Sequence, residues 1–413
     1  MRPVRKAVAL LGLTLLVSGC SWFTWLPWVD EDEEDVDELE PAALVRFDEE
    51  VEVERLWKSR VGDGLGSKYI RLSPIIVADR IFAVDGYGVV ASFDRFTGKE
   101  IWEVRIDERD RGFMSVFNFF DRTDESFVSG GVGAGDGHVL IGLTSGEVVA
   151  LAVSDGSVNW RVNVGSEVLS KPAVSRGKVY LQTIDGRLMA LDADTGKSIW
   201  SFDNQVPILT LRGTASPMVA GDIVYAGFAN GMLMAFQSDT GEPVWEHRVQ
   251  LPEGRSELDR MVDVDGQPLL SGPLIYVSAY NGELKALRRE DGQPVWAREY
   301  GSYLNLVEGY SQVYLVDGID SVFAIDTSSA ETVWTQEALY RRKLTSPVAF
   351  SNYLLVGDDE GYLHVLAQSD GRFVGRRKLD GEGLRSEMVV AEGRTVYVLT
   401  NGGSLQAVEI SVR

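Results

Sequence analysis

Three histidines, one cysteine and one glycine-rich run are the residues whose types invite a chemical reading. His138, His247 and His364 stand far apart in the chain. Zinc ligands within a pair sit roughly two to five residues apart, so this spacing offers no metal site. The run Gly130-Gly131-Val132-Gly133-Ala134-Gly135-Asp136-Gly137 could cradle a phosphate. It lacks the Gly-Lys-Ser/Thr ending and the helix that such a loop needs, so a turn is expected instead. No serine stands with a histidine and an acid at nucleophile spacing. Asp-Gly pairs recur, but turn geometry explains them without calcium. The residues therefore assign no catalytic group, no metal site and no cofactor, and the expectation is a protein that is not an enzyme.

The cysteine carries a different chemistry. Arg2, Arg5 and Lys6 precede an apolar run from Ala7 to Val17 that is too short to span a bilayer. The run ends in Val17-Ser18-Gly19-Cys20, which resembles a bacterial lipobox. In that reading residues 1–19 are a signal peptide and Cys20 carries lipid. Cys20 is the only cysteine in the chain, so no disulfide can form within one molecule, although export leads to an oxidising space. Several acyl chains anchor firmly where one does not. Ser21, rather than Asp, follows the cysteine, which points to the outer membrane and its inner leaflet. Trp22, Phe23, Trp25 and Trp28 suit a headgroup interface. From 30 to 50 the chain holds twelve acids and one arginine, half of its net charge of −22. Such a segment is expected to be a solvated spacer, with a docking tail for a basic partner as the alternative. The remainder is also acidic, which argues against nucleic acid as a partner.

What positions any site here is a repeat. Asp185-Gly186-Arg187-Leu188-Met189-Ala190-Leu191-Asp192 is followed by Thr195-Gly196 and Trp200, and near-copies surround Trp102, Trp160, Trp245, Trp296 and Trp334. The steps between these tryptophans are 58, 40, 45, 51 and 38 residues. Within each unit, short β-branched runs are split by Asp-Gly and Thr-Gly turns, which make hairpins rather than helices. Upstream runs open with Ser73-Pro74, Lys171-Pro172, Ser216-Pro217 and Ser346-Pro347, where proline's missing donor does least harm. Four strands per unit of roughly 40 to 50 residues make a β-propeller blade. Segments centred near Ile81, Val139, Val179, Ile223, Ile275, Val313, Leu354 and Val396 count eight blades. The seventh has Gly375 where a tryptophan is expected, and the eighth stops short of its final strand. The strand Val51 to Val61, with Trp57, is expected to complete it. The fold class is all-β: an eight-bladed propeller of four-stranded antiparallel blades over 51–413, closed by its N-terminal strand, behind a lipidated, acidic tether at 20–50.

Two breaks in the repeat are candidates for recognition, because a propeller's loops rather than its strands meet partners. The first runs from Asp203 to Thr214 and holds Leu209, Leu211 and Arg212. The second runs from Glu253 to Gly266 and holds Asp263 and Asp265. They occupy the same place in consecutive blades, so they should emerge side by side. Leucine anchors, an arginine and acids fit a protein-binding patch. The plainer reading is blade core and turn caps. A third insert, Asp107 to Phe127, contains Phe113, Met114, Val116, Phe117, Phe119 and Phe120, and reads as a lid on its own blade or a second contact surface.

The repeat resembles that of pyrroloquinoline-quinone-dependent dehydrogenases, eight-bladed enzymes that use a quinone, calcium and a reactive acid. They commonly carry a vicinal disulfide, which a chain with one cysteine cannot form. A closer resemblance covers 51 to 413. Leu209-Thr210-Leu211-Arg212-Gly213, Glu257-Leu258-Asp259-Arg260-Met261-Val262-Asp263-Val264-Asp265, Leu344-Thr345-Ser346-Pro347-Val348, Gly361-Tyr362-Leu363-His364 and Asp370-Gly371-Arg372-Phe373-Val374 resemble stretches of the BamB family, the lipoprotein propellers of the outer-membrane β-barrel assembly machinery. That resemblance implies a scaffold that binds the POTRA domains of BamA and helps barrel precursors fold. It places the contacts on Leu209, Leu211, Arg212, Asp263 and Asp265. It also leaves room for direct pairing of blade edges with unfolded precursor strands. The long acidic tether departs from the family's pattern.

Overall fold

The computed structural model describes residues 40–66, 69–106, 127–213, 215–391 and 394–413. Cys20, the acidic run through Asp37 and most of the Phe-rich insert lie outside these residues. Pro41–Arg413 forms one compact unit. The expected tether reached residue 50, but its last ten residues belong to this unit. Ala42 N–H donates to the Tyr340 carbonyl at 2.9 Å, Glu50 N–H donates to the Val374 carbonyl at 2.8 Å, and Phe47 stacks on Phe373 at 5.5 Å. The physical reason is the apolar ring of Phe47, which the charge count around it conceals.

The described strands form eight four-stranded antiparallel sheets. In seven of them the strand order follows the chain, as in the blade β10 (Ala173–Ser175), β11 (Lys178–Gln182), β12 (Arg187–Asp192) and β13 (Ser198–Asp203). The second and third strands are buried on both faces, which is why they read as near-continuous apolar runs. The outer strand is mostly exposed and buries its tryptophan. The eighth sheet takes its outer strand from the other end of the chain. β1 (Val51–Arg60) pairs with β32 (Ser404–Val412) from Val51 opposite Val412 to Arg60 opposite Ser404. The propeller and its closure are as the repeat predicts.

Each tryptophan joins its blade to the next. Trp160 Nε1 donates to the Ala193 carbonyl at 2.7 Å, Trp200 to Ser238 at 3.0 Å and Trp334 to Gln368 at 2.8 Å. Trp57 closes the ring by donating to Arg95 at 3.0 Å. The glycine four residues before the next tryptophan lies under the indole. A Cβ on Gly196 would stand 2.6 Å from Trp160, and φ there is +70°. This contact also explains the irregular seventh unit. Blade eight draws its last two strands from opposite chain ends, so it has no Thr-Gly turn to receive an indole. A Cβ on Gly375 would meet Val51 of β1 at 2.6 Å, and a tryptophan has no room there.

Candidate functional site

The two breaks in the repeat are the connections that precede β14 (Met218–Ala220) and β18 (Leu269–Ser271). The structure brings them together. Leu211 N–H donates to Asp263 Oδ1 at 2.9 Å, across 52 residues of sequence. A Cβ on Gly213 would stand 2.6 Å from Asp265 Oδ2, so glycine is what lets the two segments approach. The second segment is held by Met261, Val262 and Val264, all buried, while Tyr280 N–H donates to the Asp263 carbonyl at 2.9 Å.

The five expected residues take different positions. Leu209 is exposed and Leu211 is half-buried. Arg212 is exposed and its guanidinium meets Glu167 at 2.6 Å, an ion pair within the chain that a partner carboxylate would have to displace. Asp263 is fully buried, a position that suits orienting the segment rather than meeting a basic group of another protein. Its carboxylate instead holds the Leu211 backbone. Burial pushes the Asp263 carboxyl up to about 6, against the bond from Leu211. Asp265 is raised well above the ordinary range, first by burial and then by Asp263, while Arg71 acts against both. The sequence reading passed over three exposed apolar residues in the same connections: Ile208, Leu251 and Leu258. Ile208 is wholly solvent-exposed, beside a proline, and that pairing was the available signal.

The segments border a cavity of about 660 Å³. Leu211, Arg212, Gly213 and Asp265 line it. So do Ser73, Lys171, Ser216, Asn305, Ser346 and Glu387, which lead into the first strands of six blades. The cavity therefore lies where the blades converge. Of the three histidines, His364 is fully buried, with Nε2 2.9 Å from Asp358 Oδ2 and Nδ1 accepting from Arg376 Nε at 3.0 Å. Burial depresses its pKa, against the pull of Asp358. It belongs to the packing of blade seven.

A family model described as "Outer membrane protein assembly factor BamB" matches residues 88–336 and 320–411. The chain belongs to the BamB family. An outer membrane protein assembly factor BamB of Pseudomonas aeruginosa is 41% identical over 98% of this chain and 99% of that protein. The crystal structure of BamB from Moraxella catarrhalis superposes with a TM-score of 0.76 at 26% identity, covering 86% of this chain and 99% of that one. A quinohemoprotein alcohol dehydrogenase from Comamonas testosteroni superposes with a TM-score of 0.68 at 14% identity, over 87% of this chain and 76% of that one. That likeness shows a shared propeller fold and nothing of the dehydrogenase's chemistry.

Proposed function

We propose that this chain is a non-enzymatic scaffold of outer-membrane β-barrel assembly, held by lipid on Cys20 at the periplasmic face of the outer membrane. Its partner is the POTRA arm of BamA, which meets the paired connections. The observation that carries this reading is the union of the two segments: one buried aspartate fixes the backbone from which Leu209 and Arg212 project. Exposed Ile208, Leu209, Leu251 and Leu258 on the paired connections supply apolar contact, and Arg212 supplies orientation. Lipid confinement raises the local concentration of the scaffold near a membrane-embedded partner.

Arg212→Glu tests the patch. Reversal sets a second carboxylate against the largely buried Glu167, so a modest fall in melting temperature with the chain still folded is expected, while co-purification with BamA is lost. Full retention of BamA would overturn the assignment. The same reading extends to precursor strands, because the outer strands of the blades leave free edges with Ile101, Ile199, Val244, Val295 and Val333 exposed. Crosslinking from Val295 to unfolded barrel precursors checks that extension, and no adduct removes it.

A further inference from the structure

The cavity holds polar groups that the docking role does not use. Lys171 lines it, and among the described residues no acceptor takes a hydrogen bond from its Nζ. Ser216 Oγ accepts from Lys171 N–H at 3.2 Å, Ser346 Oγ from Asn305 N–H at 3.1 Å and Ser73 Oγ from Glu387 N–H at 3.0 Å. All three hydroxyls line the cavity, and each keeps its own proton undonated among the described residues. A concave wall that offers an ammonium and three spare hydroxyl donors is suited to an acceptor-rich ligand.

Charge sets how many negative charges that ligand carries. Arg71 and Lys171 are the cations on the wall that no described carboxylate pairs, because Arg212 is engaged by Glu167. The acids are Glu387 and Asp265. Glu387 is tied by Asn305 Nδ2 at 3.0 Å, and its charge partly supports the desolvated Lys171 ammonium. Asp265 has no hydrogen-bond partner among the described residues, and burial drives it toward its neutral form. Desolvation also lowers the Lys171 pKa, so the wall supports at most one anionic charge, which suits a monoanion and disfavours a dianion such as phosphate. Three tyrosines, Tyr69, Tyr280 and Tyr303, share the rest of the wall with Ile70, Leu169 and glycines. Tyr280 and Tyr303 meet edge-on at 6.0 Å, and Arg71 lies over the Tyr303 ring at 5.0 Å. Such a wall takes a flat ring.

We propose that the central cavity is a binding site for a small aromatic monocarboxylate, with the carboxylate at Lys171 and Arg71 and the ring against Tyr280 and Tyr303. The cavity volume accommodates a ligand of two fused rings without rearrangement. This goes beyond the docking role and does not depend on it, since Lys171 and Tyr303 lie outside the paired segments.

Calorimetric titration of the full chain with 2-naphthoate, 2-naphthamide and inorganic phosphate tests it. Saturable binding of 2-naphthoate is expected, with the amide weaker by about tenfold or more, because it loses the charge-assisted bond. Lys171→Met and Arg71→Gln should each weaken 2-naphthoate by about tenfold. Either variant suffices should the other fail to fold, and circular dichroism identifies which has. No saturation by 2-naphthoate, equal affinity for the amide, or unchanged affinity in a folded variant would overturn the site. Phosphate that displaces 2-naphthoate at equal concentration would overturn the aromatic monoanion class.

Discussion

Aspartates in this chain live in two opposite environments. Those of the turns that lead into the outer strands, such as Asp94, Asp192 and Asp326, are capped by their own loop and stay in water. Asp192 Oδ1 accepts from Thr195 Oγ1 at 2.6 Å and from Thr195 N–H at 2.9 Å, which holds its carboxyl below the ordinary range. Asp326 is drawn down to about 2 by Ser328 and Ser329 in the same way. In the breaks Asp263 is buried and Asp265 half-buried, and both are pushed upward by desolvation. The difference follows from what each carboxylate holds. A turn aspartate ties residues two or three positions away and stays in water. Asp263 ties a backbone 52 residues distant and must leave water to do so. The cost is tolerated where a loop needs a fixed shape, and Asp85 and Asp320, in turns between the second and third strands of their blades, carry it too, holding backbone 22 and 24 residues away.

The comparison breaks most severely at Asp263. Asp263→Ala leaves the Leu211 N–H without its acceptor inside the protein, which costs about 1–3 kcal/mol. The loop that carries Leu209 and Arg212 is released with it. Loss of BamA co-purification, together with a lowered melting temperature, is the expected result. A variant that keeps the partner would show that the loop's shape is set elsewhere.

Acid sharpens the same contrast. The folded Asp263 carboxyl titrates at about 6, above its ordinary 3.8, so the folded chain binds the extra proton between those values. Its contribution to stability is therefore full below about pH 4 and lost as pH rises through 6. Asp263→Asn keeps an acceptor for Leu211 and removes the titration. The variant should be more stable than the parent at pH 7, by up to about 3 kcal/mol, and its advantage should vanish near pH 4. Asp326 carries the opposite sign, with stability lost as pH falls toward 2. Denaturant melts across that range decide, and a constant difference between variant and parent would remove Asp263 as the titrating group.

Much of this was legible in the residues, and the missing part has a physical cause. Thr-Gly turns four residues before tryptophans encode a local event repeated many times, so the propeller and its closure by Val51–Arg60 could be read directly. The adjacency of the two breaks followed from their equal place in consecutive blades. Burial of Asp263 could not be read, because Val262 and Val264 flank it symmetrically and alternation alone would point it outward. Glu167 as the partner of Arg212 comes from a different connection, 45 residues away, with no pattern linking them. The cavity wall is assembled from single residues of many blades, each unremarkable in its own unit. Phe47 marked the end of the tether only by one ring among acids.

Smaller effects belong to the repeat turns. Asp192→Ala removes a cap in water, so the melting temperature should fall by about 1–2 °C with BamA retention intact. A loss of partner binding there would erase the distinction between turn and break.

Ala330 offers the smallest test. It stands where the other turns that receive an indole place glycine, and it adopts φ +59°. The turn it closes receives Trp296, whose Nε1 reaches the Thr327 carbonyl at 3.2 Å, the longest of the seven indole bonds among the described residues. A left-handed alanine costs about 1–2 kcal/mol, while glycine loses about 0.5–1 kcal/mol through its freer unfolded chain. Ala330→Gly should therefore raise the melting temperature by about 1–2 °C. A fall instead would mean that the buried methyl's packing outweighs the backbone strain, and that this turn, unlike its siblings, is built around a side chain.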